Sequence, residues 1–138
     1  MSWRWTHGAA TSKGDFGNPL ATTDYQLCVY DGSGRTIGRA GAPPGGSCGS
    51  RPCWHETATR FTYVRAGRSS LTVALRAGAD GKAAILARGS GVALDLSPMP
   101  VSQPVTVQLK SSDGTCWEAT YTAPASANGP GKFVDRSD

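Results

Sequence analysis

"PVTVQLKSSDGTCWEATYT", residues 104–122, decides how the rest of the chain is read. Val105, Val107 and Leu109 alternate with Thr106, Gln108 and Lys110. After a polar Ser112-Asp113-Gly114, the residues Trp117, Ala119 and Tyr121 alternate with Cys116, Glu118 and Thr120. Strict alternation marks a strand with one buried face, because successive side chains point to opposite sides. A three-residue hairpin loop needs a left-handed residue at its end, and glycine adopts that conformation without a Cβ clash. That loop sets Leu109 against Trp117, Val107 against Ala119 and Val105 against Tyr121. A loop one residue shorter or longer would put Glu118 opposite an apolar neighbour, since a one-step slip exchanges the faces.

The same grammar recurs. In "LRAGADGKAAI", residues 75–85, a loop of Ala79-Asp80-Gly81 sets Leu75 against Ile85 and Val73 against Ala87. "YQLCVYD" places Tyr25, Leu27 and Val29 on one face, and "SLTVALRAG" does so with Leu71, Val73 and Leu75. "HETATRFTYVR", residues 55–65, reads as one further strand with Thr59, Phe61 and Tyr63 on a face. Asp31, Gly32 and Gly34 form a turn that ends the strand carrying Cys28. "GAPPGGSCGSRP", residues 41–52, has no apolar period and reads as a long loop. "SPMPVSQP", residues 97–104, holds three prolines and reads as a connector or an edge. The alanine-rich "KAAILARGSG" from Lys82 is the longest helical candidate, but glycines close it on both sides. "CWHETAT" and "CWEATYT" are similar strand starts, with no continuing period that would make a repeat.

The fold expected is therefore all-β: an antiparallel β-sandwich of about seven or eight strands, immunoglobulin/fibronectin-like or jelly-roll-like. Residues 1–124 form a single domain, and residues 125–138 form a C-terminal linker or loosely docked tail. A chain of 138 residues suits one domain with a proper core. Eighteen glycines and nine prolines punctuate it between apolar runs, as many short strands require. No apolar stretch approaches the length that crosses a bilayer, so no membrane insertion is expected. "MSWRWTHGAA" lacks the charged and apolar regions of a signal peptide. Together with the cysteines, that favours a module excised from a longer secreted chain.

The net charge is +4, from fourteen Lys and Arg against ten Asp and Glu. The arginines are scattered, with a loose concentration from Arg60 to Arg88. A scattered charge balance describes a solvated surface and gives non-specific attraction, not a nucleic-acid site.

Four cysteines allow three pairings. Cys48 and Cys53 bracket a short loop whose glycine and proline let the ends meet. Cys28 and Cys116 then remain, each on the face opposite an apolar stripe. A bridge between them would close a long loop. The favoured framework is Cys48–Cys53 with Cys28–Cys116, and Cys28–Cys48 with Cys53–Cys116 stays open. "CGSRPCWHE", residues 48–56, also admits a metal reading. Cys48, Cys53 and His55 would supply three ligands, and Glu56 or Cys28 a fourth. The four residues between the cysteines and the missing second pair favour disulfides, and no metal or other cofactor is expected. A thioredoxin-like motif needs only two intervening residues and an α/β setting.

Catalytic motifs find little purchase. Asp15-Phe16-Gly17 matches the kinase triplet, but no catalytic or phosphate loop accompanies it, and Asn18-Pro19 makes it a turn. His7 and His55 are the two histidines, and no Gly-x-Ser-x-Gly elbow exists. No pair among the ten acids stands out for glycoside chemistry. Asp31, Asp80 and Asp113 sit in turns without the alternating acids of an EF-hand. "SWRW" places Trp3 and Trp5 on one side of a strand and Arg4 on the other. Exposed, those rings would form a platform for sugars; buried, they would close an end of the core.

Several stretches taken together, the Trp-x-Trp start, "DFGNP", "LCVYDGSG", "PCW" and "VTVQLKSSDGTCWEATY", carry a resemblance. The chain resembles a cysteine-containing module that recurs within large secreted proteins of environmental bacteria. That resemblance covers nearly the whole chain. It implies an extracellular setting and a β-rich accessory domain, with no activity and no catalytic residues to carry over. The expected function is a non-catalytic structural or adhesive module of a larger secreted protein. Its partners would be a glycan, another cell-surface protein or a second copy. The alternatives are a carbohydrate-binding module using Trp3 and Trp5, and a small metal protein or enzyme at Cys48, Cys53 and His55.

Overall fold

The computed structural model describes residues 1–91, 94–96, 98–130 and 132–135. Two antiparallel sheets dominate it. The first has the order β1 (Ser2–Gly8), β9 (Ala83–Gly89), β8 (Leu71–Arg76), β7 (Arg60–Arg65), β6 (Trp54–Thr57). The second runs β11 (Cys116–Tyr121), β10 (Val105–Ser111), β2 (Tyr25–Tyr30), β3 (Thr36–Ala42). Two short hairpins complete the set: β4 (Ser47–Cys48) with β5 (Arg51–Pro52), and β12 (Ala127–Gly129) with β13 (Lys132–Val134). The thirteen strands among the described residues exceed the seven or eight expected, because these short hairpins lack an apolar period and the segment 55–65 forms two strands. The protein is all-β among the described residues, with a 3-10 turn at Gly14–Phe16. The apolar faces of both sheets contribute to one core, an arrangement consistent with a β-sandwich.

Both expected registers hold. Leu109 faces Trp117, Val107 faces Ala119 and Val105 faces Tyr121. Ser111 and Thr115 close the loop through a backbone bond of 2.9 Å, and Gly114 sits at φ +91°. Leu75 faces Ile85 and Val73 faces Ala87. That hairpin stops pairing at Arg76 and Ala84, earlier than a three-residue loop requires. Gly78 instead exchanges both backbone bonds with Thr11, which draws the chain away.

One strand assignment changes. "HETATRFTYVR" is not a single strand but the hairpin β6–β7, with Thr57 opposite Arg60. Phe61 and Tyr63 still point inward. The intervening Ala58-Thr59 contains none of the residues that usually announce a turn.

At one end, aromatic rings bridge the sheets. Trp117 and Tyr25 come from the four-stranded sheet, and Trp54 and Tyr63 from the five-stranded one. Tyr25 lies 6.2 Å from Trp117 and 5.8 Å from Trp54, and Trp54 lies 5.2 Å from Tyr63. Phe16, from the Asp-Phe-Gly turn, caps the chain at 5.4 Å from Trp117. Its carbonyl accepts a 2.6 Å bond from the buried Tyr25 hydroxyl. Burial pushes that phenol's pKa far up, with the Asp113 carboxylate adding to the rise.

At the other end, residues 125–130 and 132–135 are held down. Asn128 donates to the Val101 carbonyl and accepts from the Val101 amide, both at 2.7 Å, so its side chain mimics a strand partner. Gln103 donates to the Thr122 carbonyl at 2.8 Å and accepts from the Ala125 amide at 3.1 Å. These contacts dock part of the segment expected as a linker or loosely docked tail. Arg136 and the final residues of that expected tail lie outside the described residues.

Candidate functional site

The loop that invites chemistry is a covalent staple. β4 and β5 pair Ser47 with Pro52 and Cys48 with Arg51 around Gly49, which lies at φ +72°. This turn brings Cys48 and Cys53 to a Cα separation of 4.9 Å, and they are disulfide-bonded. Cys53 is buried against the core, and its amide donates to the Gly46 carbonyl at 3.0 Å. Trp54 follows it inward, and its indole N–H donates to the Pro43 carbonyl at 2.8 Å. Alternation then turns His55 outward and exposes it. Glu56 pairs with Lys13 at 2.7 Å. The metal reading is corrected accordingly: both thiolates are used in the disulfide, and His55 faces solvent. Among the described residues no three of His, Cys, Asp and Glu are grouped to hold a metal ion.

The second expected bridge is also corrected. Cys28 on β2 is opposite Gln108, and Cys116 on β11 is opposite Lys110. Strand β10 lies between them. Two interstrand steps of about 4.8 Å hold the backbones roughly 10 Å apart, beyond disulfide reach. Both cysteines are free, Cys28 buried and Cys116 exposed. With Cys48 bonded to Cys53, the alternative pairing falls as well. Partial burial raises the Cys116 thiol pKa, against the opposing pull of Lys110.

Asp31 is also occupied. Its Oδ1 accepts from the Ser33 and Arg35 amides at 3.0 Å and from the Ser33 hydroxyl at 2.6 Å. Its Oδ2 accepts from Arg35 Nε at 3.2 Å. The hydrogen bond from the Ser33 side chain leads the effects that hold this carboxyl below its usual pKa. Turn chemistry thus accounts for the residue.

Trp3 and Trp5 share a face of β1, as alternation requires, but that face is the inner one. Trp3 is 3% exposed, and its assignment to a sugar platform is corrected on that ground. Trp5 is half-buried over Gly8, where an added Cβ would stand 1.9 Å from its ring. Trp54 and Trp117 are buried too.

One concavity was not read from the sequence. β1 and β11 are edge strands of their sheets, and a cleft of about 760 Å³ lies between these edges. Its floor includes Trp3, Val29, Val105 and Tyr121, while Leu94, Met99 and Phe133 reach it from the connectors. Arg4, Asp95 and Asp135 bring charge of both signs to the lining. Phe133 meets Tyr121 edge-on at 6.5 Å. The Trp3 indole N–H is buried without an acceptor. It lies near enough to the Tyr121 hydroxyl to oppose the burial that raises that phenol's pKa, yet short of a well-formed bond. The prolines of 97–104 signalled a connector, but nothing local showed which surface it covers.

The fold and these sites define an all-β protein of two main antiparallel sheets carrying one disulfide among the described residues, compatible with an extracellular setting. No protein-family model, curated protein or solved structure matches the chain.

Proposed function

We propose that the chain is a non-catalytic structural or adhesive module of a larger extracellular protein. Its sheets would be the layers of a β-sandwich, with a cell-surface protein or a second copy as partner. The observation that carries this reading is the Cys48–Cys53 disulfide. Disulfides persist in oxidising compartments and are rare in the cytosol. The residues that invited a chemical reading are engaged in architecture: Cys48 and Cys53 in the staple, Asp31 in a turn, Trp54 in the core. The four consecutive strands β6–β9 lie side by side in one sheet. The constant-type immunoglobulin pattern keeps no more than two consecutive strands together, and the variable type three, so the proposed sandwich shares their layers and not their connectivity. The sugar-binding alternative loses its main support with the burial of Trp3.

The test is the location and redox state of the native protein. Membrane-impermeant biotinylation of producing cells should label the parent chain. Alkylation of natively purified, unfolded protein should modify two cysteines before reduction and four after it. Four modified cysteines without reduction, or no surface labelling, would overturn the proposal.

A further inference from the structure

We propose that the outer face of the five-stranded sheet binds a linear polysaccharide bearing sulfate or carboxylate groups, through Arg60 on β7, Arg76 on β8 and Arg88 on β9. Alternation turns these three side chains away from the core, and all are exposed. Arg60 and Arg76 stand directly opposite each other. Such neighbours have Cβ atoms about 5 Å apart, and like charges there cost stability. No acid on these strands offsets them: the other outward positions of β6–β9 are His, Thr, Ala, Leu and Val. Glu56 alternates to the other side of β6 and is paired with Lys13. The loop between β8 and β9 brings Asp80 and Lys82, whose charges balance. Arg4 points outward from β1 but lines the cleft with Asp95 and Asp135, so it stands outside the proposed surface.

The spacing of the arginines selects the partner's shape. Arg88 is opposite Thr72, four residues along β8 from Arg76. At about 3.4 Å per residue and 4.8 Å per interstrand step, its Cα lies roughly 14 Å from that of Arg76. A repeating chain of anions spans that distance, whereas one small anion meets only Arg60 and Arg76. Each guanidinium can hold an oxyanion through two parallel N–H···O bonds. No aromatic ring points outward from β6–β9, so the face lacks the stacking platform that single-stranded nucleic acid uses. The choice of a polysaccharide also rests on the extracellular setting proposed above. Recognition here is by charge, so the burial of Trp3 does not bear on it.

Three probes test this on the purified protein: a heparin oligosaccharide, which carries sulfate, a galacturonate oligosaccharide, which carries carboxylate alone, and a DNA duplex. In calorimetric titration at about 0.15 M salt, at least one oligosaccharide should saturate. Arg60→Gln with Arg76→Gln should weaken it about tenfold and leave the melting temperature unchanged or raised, since the opposed charges are gone. Arg39→Gln with Lys110→Gln removes the same charge from the outer face of the other sheet. That variant should change the affinity less than about twofold, because the two outer faces stand farther apart than the Debye length of about 8 Å. Arg88→Gln alone should weaken binding about threefold, which covers a paired variant that fails to fold. The inference is overturned if neither oligosaccharide saturates, if the Arg39–Lys110 variant weakens binding as much as the Arg60–Arg76 variant, or if Arg88→Gln leaves the affinity unchanged. It also falls if the DNA duplex binds as tightly as the better oligosaccharide, which would mark a nucleic-acid surface. Surface labelling of cells without oligosaccharide binding would refute this inference alone, and binding without surface labelling would refute only the extracellular reading.

Discussion

Removing the cysteines of each expected bridge separates the two disulfide frameworks by the size of the loss. In the chain-entropy account, a cross-link stabilises by restricting the unfolded chain, and the gain grows with the loop it closes. Cys48–Cys53 spans five positions, a loop of about six residues, which gives about 2 kcal/mol. A Cys28–Cys116 bridge would close a loop of about 90 residues and give roughly 4.6 kcal/mol. For a domain of this size, 1 kcal/mol moves the melting temperature by about 3–4 °C. Paired replacement Cys48→Ala with Cys53→Ala should therefore lower it by about 7 °C, read by near-ultraviolet circular dichroism at neutral pH without reductant. Cys116→Ser, exposed and unbonded, should move it by less than about 2 °C. A fall near 16 °C for Cys116→Ser would show that the long bridge exists and that β10 does not separate the two cysteines. An unchanged melting temperature for the paired variant would refute the staple.

Further outcomes follow from single contacts. Gly8→Ala forces its new methyl into the Trp5 ring, so stability should fall by about 1–3 kcal/mol and tryptophan emission should shift to the red. Gly114→Ala meets open space but holds φ at +91°, so its cost should be purely conformational, about 1–2 kcal/mol in urea unfolding. Tyr25→Phe strands the Phe16 carbonyl in the core and should cost about 1–3 kcal/mol by the same measurement. Asp31 has a folded-state pKa below its unfolded value, so its contribution is complete above the unfolded pKa, near 4, and is lost as pH falls through the folded one. Asp31→Asn should flatten the acid limb of melting temperature against pH, and an unchanged limb would show that the turn carboxylate is not linked to folding.

What was legible in the sequence is what two neighbouring segments decide between themselves. The Val105–Tyr121 register could be read because Gly114 supplies a left-handed residue and every slip would misplace Glu118. The β6–β7 turn escaped because Ala58-Thr59 has no such marker, so two strands looked like one. The harder failures share a cause. Alternation shows that Trp3 and Trp5 lie on one face, but β9, about eighty residues away, decides that this face is inside. It likewise placed Cys28 and Cys116 each opposite an apolar stripe, and both do lie on the outer face of one sheet. Nothing local says that β10 pairs with β2 on one side and β11 on the other, and that insertion alone separates the thiols. The cleft is the extreme case. Its wall joins residues from β1, β10, β11 and β13, and it exists because two edge strands of different sheets lie beside each other. Strand order thus controls both the corrected disulfide and the cleft. A measurement that fixes β10 between β2 and β11, such as interstrand amide contacts from Gln108 to Cys28 and to Glu118, bears on the two together.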